Sequence, residues 1–271
     1  MTEIKIQHFK TGMVEVDKAL LYHQESANPI AYTGLFRSSK HRVLIPVSSY
    51  LIEHPKGRVL IDTGWSKAVR KEARKHLGYR LFFSKPYLPE GWAIDERLSA
   101  LGLSEKDIDY LLLSHLDLDH VGGLEHVKNV EKILVNQTEW ESAKKDKIRY
   151  MSSLWQGVEF TKFKTDTSQI FGKKSLDLFG DDSVHLVETP GHSLGLTSVV
   201  VKNSKGEFIV LASDVGYAGD SLEKLKIPGV LADKSAAVSS LVWLKDLSQK
   251  NNCKGIYFNH DTNKKDSIII L

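Results

Sequence analysis

The stretch HLDLDH, residues 115–120, decides how this sequence is interpreted. It offers four side chains that can bind a metal, namely His115, Asp117, Asp119 and His120, and it follows the apolar run Tyr110 to Leu113. Alternate residues of an extended segment point to the same side, so His115 and Asp117 can share one metal. A turn after these residues can bring Asp119 and His120 toward a second metal, and the two glycines that follow permit a tight backbone. The stretch therefore predicts a metal site at the end of a buried strand.

Three further candidate ligands lie at the ends of predicted strands. His192 lies in the Gly/Pro turn TPGHSLG, residues 189–195, Asp214 follows an apolar strand, and His260 ends the last strand. Loops held by a rigid scaffold often carry function, although a strand-end Asp is by itself usually a cap. Imidazole and carboxylate together suit zinc, iron or manganese. The order of all these residues predicts a centre for two divalent metal ions.

Composition narrows the classes of protein that remain. Of the 271 residues, 41% are hydrophobic and 26% are charged, as in a globular protein with a real core. The net charge of +3 is too small to predict binding of nucleic acid. The single cysteine, Cys253, excludes an internal disulfide and is expected to be an inert surface or packed thiol. No signal peptide and no membrane-spanning run is apparent, which favours a cytoplasmic protein.

Strands are predicted throughout the chain, with helices between them. The predicted strands are Arg42 to Glu53, Arg58 to Asp62, Ile108 to Leu113, Lys132 to Val135, Val184 to Glu188, Leu196 to Lys202, Glu207 to Ala212 and Gly255 to Phe258. Helices are predicted over Ser66 to Leu77, after Ser104, from about Thr138, and over Ser235 to Lys250. The apolar face of the last helix is predicted to hold Val238, Leu241, Val242 and Leu244 to Leu247. This pattern suits two packed sheets with helices outside.

An aromatic-rich segment from Gly78 to Trp92 carries two prolines and is predicted to be irregular. Aromatic side chains bury large areas wherever they lie, so core packing is the first expectation for this segment. A pocket wall or a contact in a homodimer is the alternative.

The four ligand-bearing segments resemble the metallo-β-lactamase superfamily. Its pattern is HxHxDH, then TPGHxxG, an Asp at a strand end and a last His, and this chain carries His115-x-Asp117-x-Asp119-His120, the turn with His192, then Asp214 and His260. LIDTG, residues 60–64, is similar to the superfamily's Asp-Thr-Gly turn. The resemblance covers about residues 42–261 and implies an α/β fold, the αββα sandwich, as one domain over residues 1–271.

Within the superfamily the chain is most similar to the N-acyl homoserine lactonases. The segments YLIEHPKG (50–57), DERL (95–98), DVGY (214–217) and NHD (259–261) carry this likeness. It implies a quorum-quenching hydrolase of a small-molecule lactone or related ester, with metal-activated water as the nucleophile. Group by group, it implies that His115, Asp117 and His192 hold one metal and Asp119, His120 and His260 the other, with Asp214 as the bridge. Tyr217 would stabilise the oxyanion and Asp119 would carry a proton to the leaving group.

Asp117 departs from the pattern, which has histidine there. A carboxylate is harder and more negative than imidazole, so zinc is the first expectation for the metals while iron or manganese is an alternative. Because the superfamily's usual residue is His, Asp117→His is expected to keep the fold and to keep or raise zinc binding. A thioester or phosphoester hydrolase, a diiron redox protein and a non-catalytic binding protein are the alternative functions, and neither nucleic acid nor a membrane is expected as a partner.

Overall fold

Two β-sheets pack face to face at the centre of the molecule, and helices cover their outer faces. The computed structural model describes residues 3–24, 31 and 37–271. This is the layered α/β arrangement that the sequence predicts, because each sheet must bury two faces. None of the helices within the described residues has the length and apolar character that crossing a bilayer requires.

The first sheet has eight strands in the order β14-β1-β2-β3-β5-β6-β7, with β4 paired to β1. Its strands are β1 (Lys5–Asp17), β2 (Arg42–His54), β3 (Gly57–Ile61), β4 (Lys85–Tyr87), β5 (Tyr110–Leu113), β6 (Lys132–Asn136), β7 (Thr161–Phe163) and β14 (Ser267–Ile270). Strands β3, β5, β6 and β7 run parallel, and the other pairs are antiparallel.

The second sheet has six strands in the order β13-β12-β11-β10-β9-β8. They are β8 (Ser168–Ile170), β9 (Lys173–Asp177), β10 (Val184–Glu188), β11 (Thr197–Lys202), β12 (Phe208–Ser213) and β13 (Cys253–Phe258). Only the pair of β12 and β13 is parallel within this described sheet.

Seven α-helices connect the strands of the described residues. They are α1 (Lys18–Leu21), α2 (Val69–Leu77), α3 (Ile94–Ala100), α4 (Leu118–Val121), α5 (Gln137–Lys145), α6 (Gly219–Lys224) and α7 (Lys234–Ser248). Short 3-10 helices lie at Ser39–His41, Gly78–Phe82, Glu105–Asp107, Gly122–His126 and Ser152–Trp155.

Three apolar layers hold the sandwich together, and a fourth apolar cluster packs α2 against β1 and β2. The middle layer joins both sheets through side chains such as Ile52, Leu112 and Leu186, all fully buried. One outer layer packs α3 and α5 on the first sheet, and the other packs α7 on the second. Full burial of one Leu or Ile contributes roughly 1.5–3 kcal/mol, so these layers supply the main stabilisation of the scaffold.

Most predicted elements are confirmed to within a few residues, with two corrections. The apolar face predicted for α7 is narrower than expected: Leu241, Leu244 and Leu247 are buried as predicted, together with Ala237, but Val238 and Val242 are exposed. The aromatic segment was expected to pack in the core, yet Phe82 and other rings of it are largely exposed. β1, β4, β14 and the short strands β7, β8 and β9 were not predicted.

The fold brings the predicted ligands to one edge of the sandwich. Strands β3 and β5 of the first sheet are parallel, so their carboxyl ends lie side by side. In the second sheet β10, β12 and β13 also share one direction, and each is followed within a few residues by a candidate ligand. The crevice outside the carboxyl ends of such strands is where α/β proteins usually bind ligands.

Candidate metal centre

All seven predicted ligands lie together at this edge. Their donor atoms form overlapping groups in which the members lie within 4.8 Å of one another. We call His115, Asp117 and His192 group A, and Asp119, His120 and His260 group B. Asp214 forms a further group with His115 and His120, which come from group A and group B respectively.

The backbone passes from extended to helical within residues 115–120, and this places their side chains in two different groups. His115 and Asp117 belong to the extended chain after β5, and Asp117 is the N-cap of α4 with φ −73° and ψ 158°. Asp119 and His120 lie in the first turn of α4, so their side chains leave the backbone in a new direction. The turn predicted after Leu118 is therefore a short helix that begins at Leu118.

The four histidines all turn the same ring nitrogen toward the centre. Nδ1 of His120 lies 2.8 Å from Asp62 Oδ2, while Nδ1 of His192 lies 2.9 Å from the carbonyl of Val230. Nδ1 of His260 lies 2.6 Å from the carbonyl of Pro46, and Nδ1 of His115 lies 3.1 Å from the Ser114 hydroxyl. The carboxylate and the two carbonyl oxygens can only accept, so Nδ1 of His120, His192 and His260 donates, and in all four histidines Nε2 is left to face the centre. Such an orientation of imidazole is typical of metal-binding histidines.

Asp214 lies between the groups. Its Oδ2 is 3.2 Å from His260 Nε2 and 3.7 Å from His192 Nε2. Its Oδ1 and the Nε2 of His115 are buried without a hydrogen-bond partner among the described residues. Buried polar atoms without hydrogen-bond partners are rare in proteins, so these two atoms are suited to bind a cation. The hard carboxylates and borderline imidazoles match the divalent metals that the resemblance implies.

Burial disfavours charge throughout the centre, and the neighbouring groups then decide each pKa. At His120, burial lowers the pKa, but the carboxylates, Asp214 foremost, outweigh it and hold the pKa well above its usual value. His260 follows the same balance and its pKa is raised. Burial opposes ionisation of Asp214, yet His260 and His120 hold its pKa well below the usual range. Without metal, protons on these imidazoles therefore balance the carboxylates, and a cation would replace them.

Asp62 and Ser114 support the ligands from behind. The Asp62 carboxylate accepts hydrogen bonds from the Ser114 amide and hydroxyl at 2.8 and 2.7 Å, as well as from His120 Nδ1. Asp62 holds a left-handed backbone with φ 58°, an uncommon conformation that functional sites often retain. Asp62 belongs to the Asp-Thr-Gly turn identified from the sequence, but the role of Asp62 as the partner of His120 was not predicted.

Glu139 joins the two loops that carry group A. This role was not predicted from the sequence. It is fully buried, and its carboxylate accepts hydrogen bonds from the amides of Leu116 and Gly195, each at 3.1 Å. A Cβ on Gly195 would lie 2.2 Å from the Glu139 nitrogen, so only glycine permits this approach. The last Gly of TPGHSLG is the signal that could have revealed this contact.

Asp117 has an ion-pair partner that was not predicted. Arg149 Nε and Nη2 donate to Asp117 Oδ1 and Oδ2 at 2.8 and 2.7 Å, forming a two-point pair. Burial raises the pKa of Asp117, but Arg149 and the adjacent histidines outweigh it and hold the pKa well below the usual range. Asp117 is therefore ionised, and its charge is balanced by Arg149 before any metal binds.

Tyr217 lies beside group B, three residues after Asp214. Its ring centroid is 5.3 Å from that of His260, and the side chain is largely buried. Burial together with Asp214 and Asp119 holds its pKa well above 10, so the phenol keeps its proton at neutral pH. The position predicted for Tyr217 is thus compatible with a hydrogen-bond donor next to the centre.

Two cavities meet at the ligands. A small one of about 90 Å³ is bordered by His192, Asp214, Tyr217 and His260. A larger one of about 730 Å³ has a mostly apolar wall that includes Tyr79 and Phe83 of the aromatic segment, with Arg149 beside them. Asp117 and Asp119 border both cavities. The aromatic segment is therefore a pocket wall, the alternative left open by the sequence.

Comparisons with known proteins agree with this geometry. The model of the Metallo-beta-lactamase superfamily matches residues 42–250. The N-acyl homoserine lactonase AttM of Azorhizobium caulinodans is 29% identical over 229 residues, covering 80% of this chain and 82% of the relative. The N-acyl homoserine lactonase AiiA of Bacillus thuringiensis subsp. kurstaki is 28% identical over 224 residues, covering 82% and 84%.

A solved structure shares the architecture over nearly its whole length. It is an N-acyl homoserine lactone hydrolase with the product N-hexanoyl-L-homoserine bound at its catalytic metal center. The TM-score is 0.76 at 25% sequence identity, covering 97% of this chain and 95% of the other. The sequence match, the shared fold and the converging ligands lead to one conclusion, that this chain belongs to the metallo-β-lactamase superfamily.

Proposed function

We propose that the protein is a two-metal hydrolase that opens lactones of the N-acyl homoserine class. The observation that carries this proposal is the common orientation of four histidines, each with Nδ1 on a protein partner and Nε2 toward a cluster of carboxylates. The named lactonases among its relatives support the substrate class. We further propose a single domain, since β1 and β14, which lie outside residues 42–250, complete the same sheet.

Group A would hold one divalent metal and group B the other, with Asp214 between them. Zinc is the proposed metal because four of the seven candidate ligands are histidines. A bound pair of such ions lowers the pKa of water and polarises a carbonyl oxygen. The protein would supply fixed ligands for this chemistry, because the Nδ1 atom of every histidine in the two groups contacts a protein partner that holds the ring in place.

Tyr217 and Asp119 are the proposed catalytic side chains. The Tyr217 phenol is protonated at neutral pH and borders the small cavity, so it can donate to the oxygen of a bound carbonyl. Losing one such donor typically costs roughly 10²-fold or more in rate. Asp119 borders both cavities and can hold a proton for the leaving alkoxide.

The larger cavity supports an acylated substrate. Its volume of about 730 Å³ is within the usual size of small-molecule sites, and apolar side chains form most of its wall. An acyl chain buried against this wall would leave the lactone carbonyl at Asp117 and Asp119, where the two cavities meet.

The test is hydrolysis of a panel of acyl homoserine lactones, thioesters and phosphoesters by metal-loaded protein. Tyr217→Phe should lower lactone turnover by roughly 10²-fold while metal content stays unchanged. Tyr257→Phe is the matched control, because Tyr257 is half-buried in the layer between the sheets and borders neither cavity. Wild-type lactone kinetics in the Tyr217 variant would contradict its proposed role, and no lactone turnover by the wild type would contradict the substrate class.

A further inference from the structure

Arg149 contacts group A at three points. Its Nε and Nη2 donate to the two oxygens of Asp117, and its Nη1 donates to the backbone carbonyl of His192 at 2.7 Å. The side chains of Arg149 and Asp117 are only 16% and 19% exposed, so water screens the pair weakly. A two-point pair of this kind fixes both charge and orientation.

The Arg149 guanidinium donates a hydrogen bond to the same Asp117 oxygen that faces the histidines. Asp117 Oδ2 accepts from Arg149 at 2.7 Å and also lies 3.0 Å from His192 Nε2 and 3.5 Å from His115 Nε2. A cation bound by group A would share this oxygen with a positive group. The carboxylate and guanidinium together carry no net charge. In charge the pair therefore resembles the neutral imidazole that the superfamily pattern has at this position, but it differs from imidazole in how strongly it binds a metal.

Group B differs from group A in the partners of its carboxylate. Asp119 Oδ2 lies 3.4 Å from His260 Nε2 and 4.0 Å from His120 Nε2. Across the residues that the structure describes, Asp119 forms no ion pair with an arginine or lysine. A cation bound by group B would therefore share no carboxylate oxygen with an arginine or a lysine of the described part of the chain.

We propose that Arg149 is a positioning residue that makes the two metal positions unequal. Group B loads first and tightly, and group A loads second and more weakly because Arg149 shares Asp117 with the incoming cation. This inference rests on the proposed two-metal centre and adds an order of loading set by one residue.

The experiment is titration of chelator-stripped protein with Co²⁺, followed by absorbance and by calorimetry. Wild-type protein should bind in two separate steps. Arg149→Gln keeps a hydrogen-bond donor but removes the charge that competes for Asp117, so the second step should tighten by about 10- to 100-fold. Replacing a residue that contacts a metal ligand usually changes affinity by this factor in the opposite direction, as a loss. Arg149→Lys keeps the charge and should retain two separate steps.

Arg70→Gln is the matched control. Arg70 forms a two-point pair with Glu96 at 2.7 and 2.6 Å, is 13% exposed, and borders neither cavity at the centre. This control should titrate as the wild type does. Two equal steps in the wild type, or a second step that Arg149→Gln leaves unchanged or weakens, would overturn the order of loading but leave the metal centre standing. A folded wild-type protein that binds no Co²⁺ would overturn the centre and this inference together.

Discussion

Glu139 gives the strongest prediction about how the scaffold controls the centre. Its two carboxylate oxygens accept from the amides of Leu116 and Gly195, and no part of the side chain reaches water. Glu139→Gln replaces one oxygen with an NH₂ group, which leaves one buried amide facing another donor. A buried polar group left without a partner costs about 1–3 kcal/mol, so the free energy of unfolding should fall by that amount. The loops carrying His115 and His192 should also lose their common support.

Urea denaturation of metal-free protein, combined with metal titration, measures both effects. Glu139→Gln should bind the second metal more weakly, because Leu116 lies between two members of group A and Gly195 lies in the turn that carries the third. The control is Glu141→Gln on the same helix α5, where the side chain is exposed and pairs with Gln137. Its stability should change by less than about 0.5 kcal/mol. If the two variants were equal in stability and in metal binding, the proposed role of Glu139 would be refuted.

Three further predictions concern other contacts. Gly195→Ala should prevent stable folding or metal loading, seen by circular dichroism and elemental analysis, because its Cβ would meet the Glu139 backbone at 2.2 Å. Asp62→Asn removes the carboxylate that orients His120 and should weaken metal binding by about 10- to 100-fold in a competition titration. Arg70 holds the pKa of Glu96 at about 2, so this pair stabilises the protein above the unfolded pKa of 4.5 and loses its effect as pH falls toward 2. Urea denaturation should show Arg70→Gln less stable by about 1–2 kcal/mol at pH 7, with a smaller difference at pH 3.5.

The cluster of candidate ligands could be predicted from sequence because each member follows an apolar strand. Asp214 follows β12 directly and His260 follows β13 within two residues, so a strand pattern and a polar end were enough to select them. The parallel pairing that gathers these ends at one edge follows from the fold that the resemblance implies. The structure adds the short helix α4, which separates Asp119 from Asp117.

Contacts between distant segments could not be predicted in this way. Arg149 is 32 residues from Asp117, in a region where the sequence offers no motif, and only the fold brings the two together. Its presence also changes the expectation for Asp117→His. Histidine alone would leave the Arg149 charge unbalanced beside the metals, so the double variant with Arg149→Gln is the one expected to keep or raise zinc binding.

Exposure was the property that sequence patterns predicted least well. Val238 and Val242 are apolar members of a helical repeat, yet the second sheet covers only the narrower face formed by Ala237, Leu241 and Leu244. Tyr79 and Phe83 border a cavity rather than the core, because the segment forms part of the wall of the larger cavity. Apolar character alone does not distinguish a core from a pocket wall.

The central claim is that this chain holds two divalent metals. The most direct measurement is elemental analysis of protein purified without added metal and of the same protein after zinc loading and dialysis. The account predicts about two divalent metal ions per chain in the loaded protein, with loss of both after chelation. A folded, dialysed protein without stoichiometric metal in either preparation would contradict it.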